Sequence, residues 1–600
     1  MFQSLGFWKM FVPVALAALV ALPGVFYLAS GSASEGGTFL ALLSAGIFFL
    51  WGLLLLFKRA DLPHLDVFVL VVLLSLIIAT ILSAWLSAAA WHLSWFGADM
   101  EFGTVGSFLI LSAVLILASQ VPKNLLWFVW GLFVFSALGS GVFVLMKLLS
   151  GSSISQILGT HWPDFTFFMS SATLVACVSA ETYGGLLKKI FTFAAPVLLV
   201  FSFWLNYKPA ILVLGVAVLA AAGLLFFSGR GKKPFLSLVI AGSVLIFGMF
   251  GGYLVSADRP AELRLSPFSS VFLVLAPSYF SSYSNLILGT GPGTFSVAWE
   301  RYRPVEFNIG PYWNKTINKR YSDLMTLFVS NGILGSVSLL GIGVALGTLV
   351  FRKQEFFDLT VLPISLVFFA LLGIVFFSPG VYSLVLIGAG LGLLSGTARE
   401  ETEHRRGGGF LRIFIGILML TVAGAVFVVA LRQYVAVSYA AYGSLVLNKD
   451  SGRAAELLAS AANFWPTPYY QRESSRAFLS YAFSLAENTE AFGKYVRNSV
   501  DRANSAVDLN PKDYLSQLNR AVVFVSLASS GVGEALPKAK DFLNDAETFS
   551  LHRPEAAYLK AVILRAEGDA GGARAAIEEA LRRKPDYTEA LTFKKSLLGQ

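Results

Sequence analysis

The sequence predicts an all-α protein that has about thirteen membrane-spanning helices followed by a soluble helical-repeat domain. Composition is the first reason, because a chain of 600 residues with 56% hydrophobic and only 14% charged residues is too apolar for water. Spacing is the second, since apolar stretches of about 18 to 25 residues recur, and each can cross a hydrocarbon core as a helix. We therefore divide the chain into a membrane domain, residues 1–431, and a repeat domain, residues 432–600.

The predicted spans are joined by short connections, apart from one long loop over residues 257–320. The first apolar stretch lacks a strong basic region and a small-residue cleavage site, so we interpret it as a span rather than a signal peptide. The spans lie near residues 10–30, 38–57, 66–87, 103–120, 125–148, 163–181, 187–206, 209–227, 235–256, 322–350, 360–378, 380–397 and 410–431.

Lysine and arginine are concentrated in alternate connections, and this bias predicts the orientation, because positive loop residues favour the cytoplasmic side. The opposite set of short connections carries only Lys147 and Lys208. The N-terminus is therefore predicted to be cytoplasmic, and the long loop and the repeat domain extracytoplasmic, in a multi-pass protein of the bacterial cytoplasmic membrane. The positive set is Lys9, Lys58, Arg59, Lys123, Lys188, Lys189, Arg230, Lys232, Lys233, Arg352, Lys353, Arg399, Arg405 and Arg406.

Composition also argues against several classes of function. Most of the excess positive charge in the net +9 lies at cytoplasmic loop ends, and no aromatic-basic module accompanies it, so nucleic acid is not an expected partner. The single cysteine, Cys177, lies in an apolar span, and one cysteine forms neither an internal disulfide nor a multi-thiolate site. The five histidines are scattered without metal-ligand spacing. We expect no cofactor and no metal.

After the last span the chain becomes a series of alanine-rich amphipathic helices interrupted by prolines. Apolar residues between Ala573 and Leu581 fall on one helical face, and Pro585 then turns the chain into the next helix. Similar turns surround Pro511 and Pro554. The pattern resembles degenerate tetratricopeptide (TPR) repeats. Such repeats either bind a protein partner on a concave surface or serve as a stabilising appendage, and the sequence leaves both readings open.

The long external loop is the only large element outside the predicted helices at the membrane surface, and it is polar and aromatic. Its glycine cluster, Gly289-Thr290-Gly291-Pro292-Gly293, lacks the spacing and the βαβ context of a dinucleotide-binding motif. We interpret the cluster as a tight turn that allows the backbone to approach another group closely.

The order of motifs in this region resembles that of the O-antigen ligase family. The matching residues are Leu288, Gly289, Gly291, Pro292, Gly293, Phe295 and, in the following span, Gly332-Ile333-Leu334-Gly335. The resemblance covers about residues 180–400, the large extracytoplasmic loop between spans nine and ten bears the active site in that family, and some members carry C-terminal TPR repeats. Members are C-type membrane glycosyltransferases that move a glycan from a polyprenyl diphosphate onto a lipid or protein, or polymerise repeat units.

The resemblance implies the same activity here, with a polyprenyl diphosphate-linked glycan donor, a lipid, glycan or protein acceptor, and membrane lipids as partners. Cations would hold the diphosphate and stabilise it as it leaves. Arg303 and Arg320 are the predicted catalytic cations, and Arg301 and Lys319 the predicted substrate-binding ones. Lys208 joins the latter, since relatives commonly carry an arginine at this external start of a span.

Two glycines and a set of aromatic residues complete the predicted site. Gly291 and Gly293 would bring backbone to the substrate, and Trp313 would stack on sugar, as would Trp299, Tyr302 and Tyr312. Interfacial anchoring is the other reading of these aromatic residues.

The catalytic base is the point at which the sequence departs from the family. Relatives often place His-Asn before the G-I-L-G motif, whereas this chain has Tyr321 and Ser322. We assign Tyr321 and Asp323 to the predicted catalytic set, with Glu306 and Glu300 as other candidate bases.

Two other kinds of protein fit the sequence less well. A metal-dependent oligosaccharyltransferase needs paired acids in an early external loop, where Asp99 and Glu101 are the nearest pair. A transporter or flippase would more often show charged or Gly/Pro-broken residues at mid-span. A membrane anchor that presents the repeats as a scaffold would need no polar, glycine-turned loop with four clustered cations.

Overall fold

The computed structural model of the chain describes residues 7–29, 33–57, 65–86, 91–97, 101–152, 157–158, 162–205, 207–227, 232–251, 276, 282–309, 313–314, 322–352, 357–396, 409–485, 490–532 and 534–597. Within these ranges the regular elements are α-helices and short 3₁₀ helices, without a β-strand. The all-α prediction is confirmed. Packing divides the chain into two compact units.

Unit 1 comprises Met1–Ser83, Asp99–Leu265 and Lys319–Leu431. Its described helices are α1 (Phe7–Ala29), α2 (Ala33–Leu56), α3 (Val67–Leu86), α5 (Val105–Ala118), α6 (Leu126–Leu149), α7 (Trp162–Thr182), α8 (Gly185–Leu205), α9 (Lys208–Phe227), α10 (Lys232–Gly251), α13 (Asp323–Arg352), α14 (Phe357–Phe376), α15 (Val381–Gly396) and the first part of α16 (Gly409–Val446).

Length and composition allow 8 of the described helices to cross a membrane. Five shorter apolar helices lie at other predicted spans, at Met10–Pro23, Val105–Ala118, Pro234–Phe247, Thr360–Phe376 and Val381–Gly396. The structure thus supports a helical domain rich in membrane-compatible helices, and the count of thirteen spans stays a prediction.

Helix α7 lies at the centre of unit 1, where it packs against α1, α6, α8, α9 and α14. Nearly every side chain from Trp162 to Ala180 is buried, including several serines and threonines. Some of their hydroxyls bond within the helix, as when Thr166 Oγ1 donates to the Trp162 carbonyl at 2.7 Å, whereas those of Ser170 and Ser179 are buried without a partner among the described residues. Because neighbouring helices surround it, α7 tolerates more polar side chains than an apolar helix with an exposed face.

Helix α13 is interrupted at Gly332, whose φ of 67° and ψ of −165° are not helical. Buried polar side chains surround the interruption: Ser83 Oγ donates to the Ser330 carbonyl at 2.9 Å, and Asn331 Nδ2 donates to Thr80 Oγ1 at 3.0 Å. Only glycine adopts such a backbone readily, so the first glycine of the G-I-L-G motif marks a break in a span.

Unit 2 comprises Ala84–Ala98, Ser266–Asn318 and Arg432–Gln600, so residues of the long loop over 257–320 group with the repeat helices. Besides the end of α16, its described helices are α4 (Trp91–Phe96), α11 (Tyr283–Leu288), α12 (Phe295–Tyr302), a 3₁₀ helix (Val305–Ile309), α17 (Ser451–Phe464), α18 (Pro468–Ser484), α19 (Glu490–Leu509), α20 (Tyr514–Ser529), α21 (Ala535–Phe549), α22 (Glu555–Ala566), α23 (Ala570–Arg583) and α24 (Thr588–Leu597).

From α17 to α24 each helix packs on the next, and α18, α20 and α22 also contact one another in series. Small buried residues such as Ala521, Ala539 and Ala561 allow this close approach of helices. The result is a stack of helical hairpins, and the predicted helical-repeat architecture is confirmed.

Candidate functional site

The glycine cluster of the loop forms a tight turn between α11 and α12. Gly289, Gly291 and Gly293 have positive φ angles of 76°, 110° and 74°. Thr294 Oγ1 donates to the Gly291 carbonyl at 2.6 Å and lies 2.8 Å from Thr290 Oγ1, so the two hydroxyls brace the turn.

Gly293 also makes a close backbone contact with α4. A β-carbon built on it would lie 2.6 Å from the Leu93 carbonyl oxygen and 3.1 Å from the Gly97 α-carbon, which is too close for any other residue. The turn therefore needs glycine here for both conformation and space. The sequence predicts that the glycine turn brings the backbone close to another group. At Gly293 that group is the backbone of the same protein at α4.

A buried ion network follows in α12. The Glu300 carboxylate accepts two hydrogen bonds from Arg553, from Nε at 2.6 Å and from Nη2 at 2.8 Å. Arg303 Nη1 lies 3.5 Å from the same carboxylate, and Arg553 Nη1 donates to Glu555 at 2.7 Å. Two cations and two anions balance, which offsets part of the cost of burying charge.

Arg303 lies fully inside this network. Its Nη2 donates to Asn308 Oδ1 and, at 2.9 Å, to the Trp313 carbonyl, and its guanidinium stacks over Phe307 at 4.9 Å. With 0% of its surface exposed, the side chain cannot reach a diphosphate in this arrangement. A hydrogen bond therefore joins two predicted site residues, Arg303 and Trp313, and holds the loop. Their catalytic and sugar-binding roles stay predictions.

Burial and the neighbouring charges act together on the pKa values of the two arginines in this network. Desolvation and the neighbouring Arg553 lower the pKa of Arg303. Desolvation alone would lower the pKa of Arg553 as well, but the carboxylates of Glu300 and Glu555 raise it well above its ordinary value. Glu300 is fully engaged with Arg553, so it is poorly placed as a base, whereas Glu306 is exposed.

The other predicted loop residues differ in exposure. Arg301 is exposed and lies over the Tyr302 ring at 5.6 Å, so its guanidinium is available to a ligand. Trp313 packs edge-on against Tyr587 at 5.1 Å, and Lys584 Nζ lies 5.0 Å from its ring centre. Lys319, Arg320, Tyr321 and Tyr312 lie outside the described residues.

In unit 1, Asp323 and the residue before Lys208 contact the same residue, Phe377, at helix ends predicted to be extracytoplasmic. Tyr207, which precedes Lys208 at the start of α9, packs edge-on against Phe377 at 5.6 Å. The Phe377 carbonyl in turn accepts a hydrogen bond from the Asp323 backbone N–H at 3.3 Å. The Asp323 carboxylate accepts from Ser378 Oγ at 2.6 Å and from the Gly380 N–H at 2.8 Å.

Asp164 is a buried acid that the sequence analysis missed. Its Oδ1 lies 3.8 Å from the position of a β-carbon on Gly380, the glycine that donates to Asp323. The neighbouring Trp162 Nε1 donates to the Leu205 carbonyl at 2.8 Å, which ties the start of α7 to the end of α8. The sequence did carry one signal for this residue. Asp164 lies in the first turn of a predicted span, and ionisable residues in spans commonly mark function. No local signal pointed to Arg553, whose partner is 253 residues away.

Comparison with known proteins adds little. No protein-family model matches the chain, and no curated protein matches it. Similar solved structures include YrrB, a TPR protein with an unusual peptide-binding site, at 16% identity and a TM-score of 0.22, covering 31% of this chain and 89% of that one.

Two other solved structures are similar. The APC/C hetero-tetramer Cut9-Hcn1 shows 13% identity and a TM-score of 0.23, covering 96% of this chain and 92% of that one. Yeast Tom70 shows 11% identity and a TM-score of 0.20, covering 78% of this chain and 96% of that one. Such low TM-scores support no argument about fold or function, so the repeat architecture rests on the helix packing. The resemblance to the O-antigen ligase family stays a prediction.

Proposed function

We propose that this protein transfers a glycan from a polyprenyl diphosphate-linked donor to a lipid, glycan or protein acceptor on the extracytoplasmic face of the bacterial cytoplasmic membrane. The observation that carries the proposal is the motif from Leu288 to Phe295, followed by G-I-L-G in the next span. The tight turn at 289–293 and the break at Gly332 are the local structures of these two motifs, which is consistent with the proposal.

In the proposed reaction an acceptor hydroxyl oxygen attacks the anomeric carbon of the donor. The new bond forms as the bond between that carbon and the diphosphate oxygen breaks, and the electron pair leaves with the diphosphate. The hydroxyl proton passes to a base. Asp323 is our candidate from its place beside the matched motif, but its carboxylate is buried and hydrogen-bonded to Ser378 and Gly380, so these contacts must open before it meets an acceptor. Glu306 is an exposed acid of the loop. Lys208, Arg301, Lys319 and Arg320 would bind the diphosphate and stabilise its developing charge, without a metal.

The proposal requires that the outer ends of the spans form one surface. The topology of thirteen spans, which we retain as part of the proposal, assigns the starts of α7, α9 and α13 and the turn at Pro379-Gly380 to the extracytoplasmic side. Asp164, Lys208 and Asp323 belong to these ends. Contacts of Asp323, Asp164 and Tyr207, the residue before Lys208, with Phe377 or Gly380 support a common side for them, and the charge pattern is what assigns that side to the exterior.

Substrate translocation without catalysis is the second candidate. The interruption of α13 at Gly332 favours it, because transporters often bind substrates at broken helices. The buried polar groups near the break, Thr80 with Asn331 and Ser83 with Ser330, pair with one another, which suits a structural role equally well.

The test is glycan transfer in proteoliposomes supplied with a polyprenyl diphosphate-linked oligosaccharide and a candidate lipid acceptor. Wild type is compared with Lys208→Ala, Arg320→Ala and Asp323→Asn, each with and without EDTA. Arg565→Ala is the matched control, because Arg565 is an exposed repeat arginine that bonds only Ser596 at 2.7 Å among the described hydrogen bonds.

The proposal is supported if wild-type transfer resists EDTA and if transfer falls by about 10²-fold or more in each of the three site variants while the variant still folds. Translocation of the donor without transfer would favour the transporter instead. Transfer that needs a divalent metal and ignores all three substitutions would reject the site.

A further inference from the structure

The loop contacts the repeats at two successive turns of the hairpin stack. Glu300 of α12 pairs with Arg553 in the turn before α22. Asn308 of the 3₁₀ helix meets the same turn and the next one: its Nδ2 donates to the His552 carbonyl at 2.6 Å and to the Arg583 carbonyl at 3.1 Å. Lys584 Nζ, in the turn before α24, donates to the Asn308 carbonyl at 2.9 Å.

The two turns carry the same short pattern, a cation, a proline and an acid. Arg553-Pro554-Glu555 and Lys584-Pro585-Asp586 are one repeat apart. In each, the cation pairs with the acid two residues later at 2.7 Å, which fixes its direction. Each cation then extends to the loop, Arg553 to the Glu300 carboxylate and Lys584 to the Asn308 carbonyl. The pattern is thus a repeated clamp with two contact points.

Both polar atoms of the Asn308 side chain, Nδ2 and Oδ1, are hydrogen-bonded in this arrangement. It is fully buried, its amide nitrogen gives both hydrogens to repeat carbonyls, and its Oδ1 accepts from Arg303. While the loop stays in place, removal of any one partner would leave the others buried without their hydrogen bonds, because water does not reach the closed site. The clamp therefore selects one position of the loop.

We propose that the C-terminal repeats bind the chain's own external loop and hold it for glycan transfer, with Arg553 and Lys584 as positioning residues. This inference rests on the proposed function. The loop segment that the clamp holds includes the exposed Arg301, one residue after Glu300, and follows directly from the glycine turn. A catalytic segment displaced by about 1 Å loses on the order of 10²-fold in rate, so the clamp controls activity through geometry.

Hydrogen exchange of the full-length protein in proteoliposomes tests the clamp without reference to activity. In Arg553→Gln and Lys584→Gln we expect amides of residues 295–309 to exchange at least about 10-fold faster than in wild type. Arg565→Gln, a surface arginine of the same hairpin, should leave that exchange unchanged. Asn308→Ala tests the clamp from the loop side and leaves the repeats intact, which covers the case in which a repeat variant fails to fold.

Transfer kinetics then test positioning. We expect kcat to fall by about 10²-fold in Arg553→Gln with little change in KM, and Arg553→Lys to recover part of it, because lysine keeps the charge but loses the paired donors. The double variant Glu300→Gln/Arg553→Gln should lose little more than the worse single variant, since the residues act as a pair.

Unchanged loop exchange in folded Arg553→Gln and Asn308→Ala would overturn the clamp. Faster loop exchange with wild-type kcat would overturn the positioning role. If wild type transfers no glycan from any donor, the proposed function fails, and the exchange data still decide whether the repeats hold the loop.

Discussion

The Asp323 carboxylate accepts a hydrogen bond from the Gly380 backbone N–H at 2.8 Å, which ties the start of α13 to the turn between α14 and α15. Its other oxygen accepts from Ser378 Oγ at 2.6 Å. Both oxygens are thus engaged, and each still has a lone pair for a proton. This geometry makes Asp323 a structural anchor of these helix ends, and a substitution can separate that role from its proposed role as a base.

Asp323→Asn separates them. The amide oxygen keeps one of the two hydrogen bonds, so we expect a modest loss of stability, about 1–2 kcal/mol, while transfer falls by about 10²- to 10⁴-fold through loss of the base. Ser378→Ala is the matched control: it removes one hydrogen bond, keeps the carboxylate, and should retain transfer. The measurements are thermal unfolding in detergent micelles and the transfer assay. Wild-type transfer by Asp323→Asn would assign the base elsewhere.

The sequence predicted those features that depend on local pattern. Apolar runs predicted the helices of unit 1, and the spacing of prolines and alanines predicted the hairpin stack of unit 2. Positions such as Gly293 were recognised as turn residues, although the α4 backbone that excludes a side chain there was not foreseen.

Features that depend on distant partners were not predicted. The chain between Glu300 and Arg553 contains several helices, and neither residue has a neighbour in sequence that indicates the other. Loop cations were therefore interpreted as ligands for diphosphate, whereas the structure buries Arg303 against Glu300 and Asn308. Asp164 was likewise overlooked, because only the fold brings it beside Gly380.

Substitutions of glycine can separate the cost of an unfavourable backbone conformation from the cost of a steric clash. Gly293→Ala would combine an unfavourable φ of 74° with a β-carbon 2.6 Å from the Leu93 carbonyl oxygen. Gly531→Ala is the matched control, since its φ is 87° and nothing lies within 4 Å of the new carbon. We expect the control to cost about 1–2 kcal/mol and Gly293→Ala to exceed it by about 1–3 kcal/mol. Equal losses in native-state hydrogen exchange would show that α4 moves away without cost.

Buried and exposed ion pairs in the repeats should differ in strength. Arg472 pairs with Asp513 and donates to Ser516 Oγ at 3.2 Å in the buried interface between α18 and α20. Lys540 and Glu567 form a comparatively exposed pair at 3.0 Å. Arg472→Gln should destabilise the repeats by about 3–5 kcal/mol, because it leaves a buried carboxylate without its cation. Lys540→Gln should cost no more than about 1 kcal/mol. Hydrogen exchange of α18 and α20 measures the first loss and that of α21 and α22 the second, and similar losses would contradict the distinction.

Glu579 supplies a prediction about pH. Hydrogen bonds from Arg582 and Arg583 lower the pKa of its carboxyl from 4.5 to about 2. The folded state therefore binds the proton less readily than the unfolded state, so its stabilising contribution is complete above about pH 4.5 and is lost as the pH falls toward 2. The melting temperature of wild type should exceed that of Glu579→Gln at neutral pH, and the difference should shrink over this window. A constant difference would show that the ion pairs contribute nothing.

The predicted topology can be tested with the chain's single cysteine removed. In a Cys177→Ser background, Ser529→Cys adds a thiol at the exposed end of α20, and Gly184→Cys adds one in the connection between α7 and α8 that is predicted to be cytoplasmic. A maleimide that cannot cross membranes should label the α20 thiol in intact spheroplasts, and the thiol between α7 and α8 only after the membrane is opened. The charge pattern predicts this result because the connection near Gly184 carries Lys188 and Lys189. The reverse labelling would place the repeats and the loop in the cytoplasm, away from any lipid-linked glycan on the outer face, and would exclude the proposed reaction.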